Sequence, residues 1–342
     1  MWNFTRFSEK TSQKTGMNRQ NFIRLALSAA VLCAATGVQA QTAKLRLAHA
    51  GPETASQHLA ALEFAKLVKE RSQGTLEVAV YPGSQLGNDA TAIGAVRGGT
   101  IDLMMAGSGN FAGMAPKFDL LDIPFLFRDQ AHAYATVDGA VGQRLASALE
   151  PHNLKQLAYW EVGFRAITTK NRAVNKPDDV KGLKIRTTPN PTHIQAWKLL
   201  GANPIPMPLG ELYGALESGA VDAQEHPVDI TYAVKFYEVQ KHLTMSRHAF
   251  TAMPVVMNKK FDGLKPDQQK ALIDAALVAG NLQRLLINKS EAADIAFLRA
   301  QGMQVEDPVN LEPFRKLVAE PIRQMFVDKY GPQLIDAIQV TM

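Results

Sequence analysis

The sequence predicts an α/β protein of two similarly built lobes with a cleft between them. Three observations predict it. Strand-like and helix-like segments alternate along the chain, a pair of segments recurs in the same order in each half, and about 300 residues follow an N-terminal leader. That length suits two lobes better than one core.

The leader comes first. Arg19 and Arg24 precede an apolar run from Leu25 to Ala35, and Val38-Gln39-Ala40 offers a small-x-small cleavage signal. The run is too short to cross a bilayer comfortably, so residues 1–40 read as a secretory signal peptide, which predicts a periplasmic location. One arginine of a twin-arginine signal is replaced, which favours the general secretory route. Cleavage after Ala40 removes five of the 37 basic residues and one of the 32 acidic ones. The remaining chain is near neutral and gives no electrostatic case for binding nucleic acid or an anionic membrane. Cys33 is the only cysteine and lies in the leader. Past it, disulfides, thiolate metal sites and cysteine nucleophiles are excluded. No later apolar stretch reaches 18 residues, so the mature protein is expected outside the membrane.

The mature chain opens on "KLRLAHA", a strand with Leu45 and Leu47 on one face. "ASQHLAALEFAKLVKERS" follows as a helix, with Leu59, Leu62, Phe64, Leu67 and Val68 as its apolar stripe and Gly74 at its end. "TLEVAVYP" is the next strand. Strand, helix, strand at this spacing argues for a parallel sheet. "TAIGAVRGGTIDLM" at 91–104 then resembles "ELYGALESGAVDAQ" at 211–224, aligning Gly94, Gly99 and Asp102 with Gly214, Gly219 and Asp222. Each reads as helix, glycine cap, strand. "KLRLAHAGPE" likewise resembles "GLKIRTTPNP" at 182–191. From Pro266 to Gly302 an uninterrupted amphipathic pattern predicts one helix about 50 Å long, enough to brace both lobes.

Ligands of open α/β sheets sit beyond the carboxyl ends of the strands. The loops there are polar and turn-forming: His49 to Glu53, Ala106 to Asn110, Arg186 to Asn190, and Gln224 to Pro227. Arg186 ends the strand "LKIR", where its planar fork suits a carboxylate; a surface or salt-bridged arginine reads equally well. Arg165, in "YWEVGFRAITTK", alone reads as structural, because a buried arginine is usually paired internally. His226 could donate to a ligand oxygen and Glu225 could orient a neighbouring arginine; both also read as groups satisfying a local loop. Glu53, Gln57, Asn110 and Asn190 add polar groups along the rim. The stretch from Gly107 to Gly113 nearly matches a dinucleotide fingerprint but has one residue too many before the last glycine. Scattered histidines without an HExxH, and no G-x-S-x-G elbow, leave hydrolase chemistry without a motif. No catalytic residue, metal site or cofactor is expected.

The stretches "YPGSQLGND", "GTIDLMMAGSGN", "LDIPFLF", "GFRAITT", "DDVKGLKIRTTPNP", "AWKLLGANPIPMPLGELYGALESGAVDAQEHP" and "KFYEVQKHL" resemble, in order and spacing, the solute-binding subunits of TRAP transporters of the dicarboxylate-binding type. The resemblance runs from about Leu45 to Phe326. It implies a two-lobed periplasmic binding protein, the Venus-flytrap architecture, with a long helix spanning both lobes. Residues 41–162 and about 252–290 would form lobe I, and residues 163–251 and about 291–342 lobe II. It implies a small organic acid ligand whose carboxylate is held by Arg186 with help from Arg165, and two membrane transporter subunits as partners. The family often has Asn where this chain has His226, which bears on ligand choice. A monomer is expected. The many polar groups favour a hydroxylated or sugar acid, with a C4-dicarboxylate or 2-oxo acid as the alternative and a secreted hydrolase or lyase as the reading from another class.

Overall fold

A computed structural model describes residues 42–307 and 309–341. The leader, residues 1–40, lies outside the described residues. The rest builds two mixed sheets flanked by helices.

The first sheet has the order β2 (Leu76–Tyr81), β1 (Ala43–Ala48), β3 (Leu103–Met105), β10 (Phe250–Asn258), β4 (Leu154–Phe164). Strand β1 (Ala43–Ala48) leads into α1 (Ser56–Arg71) and returns as β2 (Leu76–Tyr81), parallel to β1. Helix α2 (Asp89–Arg97) then delivers β3 (Leu103–Met105) to the other side of β1. Helices α3 (Gln130–Asp138) and α4 (Ala140–Ser147) precede the long strand β4 (Leu154–Phe164). One residue later, β5 (Ala166–Thr169) already belongs to the second sheet.

The second sheet repeats the plan. Strand β6 (Lys184–Thr187), α5 (Pro191–Leu199), β7 (Asn203–Pro206), α6 (Leu209–Ser218) and β8 (Ala223–His226) give the local order β7-β6-β8, matching β2-β1-β3. The two recurring segments occupy equivalent places, and their aspartates do the same work. Asp102 accepts a hydrogen bond from the Arg46 backbone N–H at 2.9 Å, and Asp222 accepts from that of Lys184 at 3.0 Å. Each pins a helix-to-strand turn onto the neighbouring strand. Gly99 and Gly219 precede those strands at φ +76° and +75°, the left-handed conformation in which a side chain is disfavoured.

Helix α7 (Val228–Ala233) and β9 (His242–Thr244) lead back to β10 (Phe250–Asn258), an antiparallel strand of the first sheet wedged between β3 and β4. The chain thus crosses between sheets at Arg165 and again at residues 245–249. The crossings are tied together, since the Arg165 N–H donates to the Ala249 carbonyl at 2.9 Å.

Helix α8 (Pro266–Ala300) runs 35 residues without a break, about 52 Å long. Its first half packs Leu272, Ala275, Ala276 and Ala279 into the core of the first sheet, while Leu298 packs beside Val228 and Leu243 of the second. Helix α1 meets it through Ala60, Ala61, Phe64 and Val68. The stripe expected from sequence included Leu59 and Leu62, and both are exposed. Alanines facing alanines let the two helices approach closely, and that contact turns the leucines outward.

After β11 (Gln304–Glu306) joins β9, helices α9 (Glu312–Tyr330) and α10 (Gln333–Gln339) end the chain. Phe314 and Val318 pack against the second sheet. Ile322, Phe326, Leu334 and Ile338 instead pack with Phe111, Val137 and Leu145 in the first-sheet core. The assignment of all of 291–342 to lobe II is corrected here. Helix α9 carries apolar residues along its whole length, and its two ends bury them against different lobes.

Candidate functional site

The carboxyl ends of β1, β3, β6 and β8 converge on an inter-sheet cavity of about 60 Å³. Its walls include Gln57, Asp89, Asn110, Arg165, Arg186 and His226. A larger cavity of about 380 Å³ lies across the crossing strand, where Gly163 and Phe164 line it while Val162 and Arg165 face the smaller one. The smaller cavity is the better site, because two buried guanidinium groups converge on it with several uncharged polar groups.

Arg186 is 1% exposed at the end of β6. Its Nε and Nη2 donate to the Met207 carbonyl at 3.0 and 2.7 Å, and its Nη1 lies 3.3 Å from His226 Nε2. Three of its five N–H groups are thereby committed. One on Nη1 and one on Nη2 remain, the pair a carboxylate can take from a guanidinium end-on. Burial first, then the nearby Arg165 charge, lower its pKa to about 10, so it stays charged at neutral pH.

Arg165 is differently employed. Its Nε bonds one Glu225 carboxylate oxygen, its Nη2 bonds the other at 3.1 Å as well as the Glu225 carbonyl, and its Nη1 donates to Thr251 at 3.2 Å. Glu225 is fully buried. Burial pushes its carboxyl up, but the Arg165 guanidinium, His193 and His248 together outweigh this and hold it well below the ordinary range. Arg165 therefore carries a neutralised charge and offers the cavity a single N–H.

Gln57 and Asn110 both reach the cavity. The Gln57 amide packs directly over Gly51, where a Cβ would meet Nε2 at 1.6 Å. Asn110 donates to Asp89 at 3.3 Å and to the Gly107 carbonyl at 3.3 Å. Asn190 is not on the cavity wall. It is fully buried, caps α5 by accepting from the His193 N–H at 2.9 Å, and lies over Gly109 in the turn that follows β3. Glu225 likewise sits behind the wall. Glu53 is corrected outright: the turn closed by the Ala55 N–H on the Pro52 carbonyl leaves it exposed. Of the two sequence readings of His226, a donor to a ligand oxygen and a group satisfying its own surroundings, the geometry favours the second. Its two ring nitrogens face Gln224 at 2.6 Å and Arg186.

Two aspartates were missed. Asp89 opens α2 on the cavity wall, and burial raises its pKa to about 6 against the pull of Arg186. Asp122 is fully buried and accepts from Ser108 at 2.7 Å, Thr251 at 2.9 Å and, across the sheets, Asn190 at 3.5 Å. The motifs "LGND" and "LDIPF" contain both, but their partners lie far away in sequence. Among the described residues, no cluster of three or more His, Cys, Asp or Glu is placed to hold a metal ion. No described helix is long and apolar enough to cross a membrane.

Comparison with known proteins bears on this geometry. A family profile described as bacterial extracellular solute-binding protein, family 7, matches residues 47–329. The chain is 47% identical over 296 residues to the 2,3-diketo-L-gulonate-binding periplasmic protein YiaO of Escherichia coli (strain K12), covering 86% of this chain and 90% of that one. A TRAP periplasmic solute binding protein from Polaromonas sp. JS666 bound to D-erythronate superposes with a TM-score of 0.85 at 35% identity, covering 88% of this chain and 99% of that one. The sugar acid binding protein DctPAm from Advenella mimigardefordensis strain DPN7T, in complex with galactonate, superposes with a TM-score of 0.84 at 30% identity, covering 88% and 99%.

Proposed function

We propose, from the premise that this chain belongs to family 7 of the bacterial extracellular solute-binding proteins, that it is the periplasmic receptor of a TRAP-type transporter for a small sugar acid. Residues 1–40 are removed on export, and the mature chain hands its ligand to membrane subunits without altering it. Arg186 grips the ligand carboxylate end-on through Nη1 and Nη2. Gln57, Asn110 and the last Arg165 N–H bond oxygens further along the ligand.

The observation that carries this reading is the pair of uncommitted N–H groups on a buried Arg186 facing an inter-lobe cavity. A cleft that shuts around an anion strengthens the ion pair by excluding water, and closure is favoured because both lobes touch the ligand. The same walls favour a hydroxylated acid over a C4-dicarboxylate. Arg165 is neutralised by Glu225, so one guanidinium remains for one carboxylate. Asp89 would repel a second carboxylate and can accept a bond from a hydroxyl. The relatives named above for diketogulonate, erythronate and galactonate support that choice.

A thermal-shift screen of the mature protein against sugar acids, 2-oxo acids and C4-dicarboxylates tests it, with the recovered ligand checked by mass spectrometry. A sugar acid should raise Tm most and come back unchanged. Recovery of a converted product would establish an enzyme instead.

A further inference from the structure

The guanidinium that grips the carboxylate is itself oriented by a row of uncharged groups in the second sheet. Thr168 on β5 is fully buried, as are Gln224 on β8 and Gln240. Gln240 Nε2 donates to the Val239 carbonyl at 3.1 Å, so its Oε1 faces the Thr168 hydroxyl at 3.2 Å. A hydroxyl has one proton. Thr168 gives it to Gln240 and must accept from its other neighbour, the Gln224 amide nitrogen at 2.9 Å. The Gln224 amide is thereby fixed with Oε1 toward His226 Nδ1, at 2.6 Å. On the far side of the ring, Arg186 Nη1 can only donate, and it lies 3.3 Å from Nε2. Both neighbours require the same ring: a proton on Nδ1 and a lone pair on Nε2. An imidazolium would set N–H against N–H at Arg186, and the other tautomer would leave Nδ1 facing the Gln224 oxygen without a proton.

We infer that Gln224 fixes His226 in the Nδ1–H tautomer, and that His226 so fixed is a positioning residue whose Nε2 lone pair turns the Arg186 fork toward the ligand carboxylate. This rests on the reading of Arg186 as the carboxylate clamp. Every member of the row sits on or beside the second sheet: Thr168 on β5, Arg186 on β6, and Gln224 and His226 on β8. The fork is therefore set before the cleft closes, and ordering it costs nothing when ligand arrives. Burial and the charges of Arg165 and Arg186 hold the imidazole well below its usual range, which is consistent with a neutral ring.

The test uses the ligand-free mature protein labelled with 15N-histidine. Long-range proton–nitrogen spectra report each ring's tautomer, and the His226 signals are assigned by their loss in His226→Gln. From about pH 5 to pH 8, His226 should show a protonated Nδ1 and a bare Nε2. An Nε2–H tautomer or an imidazolium at pH 6 overturns the inference without any variant. Calorimetric titration with D-galactonate supplies the second arm. Gln224→Leu should leave the Nδ1–H without its acceptor, free the ring to turn and bind roughly tenfold more weakly, while His226→Gln, whose amide oxygen can still accept from Arg186, should bind closer to wild type. Unchanged affinity in Gln224→Leu also overturns the positioning role. Unchanged affinity in Arg186→Ala would instead sink the clamp itself and leave the tautomer result standing.

Discussion

Two arginines share one cavity and differ in what each has beside it. Arg165 meets Glu225 in a fully buried pair, so its charge is cancelled inside the protein. Arg186 meets only a carbonyl and an imidazole, and its charge remains available. Glu225→Gln should thus strand the Arg165 charge and destabilise the fold by about 3–5 kcal/mol, measured by urea denaturation. Arg186→Ala should leave stability nearly intact while weakening acid binding more than a hundredfold, equivalent to about 3 kcal/mol. Arg186 was legible in the sequence as an arginine at a strand tip, although a salt bridge explained it equally well. The pairing of Arg165 with Glu225 was not legible, because the partners lie 60 residues apart and meet only through the β5–β8 register. Asp89 and Asp122 were missed for the same reason.

At the scale of elements, close approach decides more than hydrophobicity. Gly280 on α8 leaves room for the Trp160 indole, whose Nε1 donates to the Ala276 carbonyl at 2.8 Å. A Cβ at Gly280 would meet that ring at 2.6 Å. Trp160 is fully buried and its ring is rigid, so Gly280→Ala should cost about 1–3 kcal/mol by urea denaturation. An unchanged midpoint would mean that the brace is looser than its packing implies. The 35-residue helix and the doubled strand–helix–strand unit were readable from periodicity and glycine caps, because those signals are local. The outward turn of Leu59 and Leu62 was not, since it depends on which face of a distant helix offers alanines. The return of α9 and α10 to the first lobe was hidden likewise, because an apolar stripe does not say which core it enters.

At the scale of the whole molecule, the two halves touch through a buried titratable group. Ser56 at the start of α1 donates to Asp229 at the start of α7 at 2.5 Å, joining the two halves. Burial raises the Asp229 pKa from 3.8 to about 6, opposed by the Ser56 hydrogen bond. A carboxyl raised in this way costs nothing below its unfolded value. The penalty grows as pH rises from 3.8 through about 6 and is complete above, at about 3 kcal/mol. Asp229→Asn removes that titration. Its stability relative to wild type should therefore improve by about 2 kcal/mol between pH 4 and pH 7, read from urea curves at the two values. A constant gap would mean that Asp229 is hydrated in the folded protein. The central claim is that a closing cleft holds an acid by the Arg186 fork. Titration calorimetry of wild type and Arg186→Ala against D-galactonate and D-erythronate tests it most directly. The account predicts saturable binding of a sugar acid by wild type and none by the variant over the same concentration range. Equal affinities in the two proteins would contradict it.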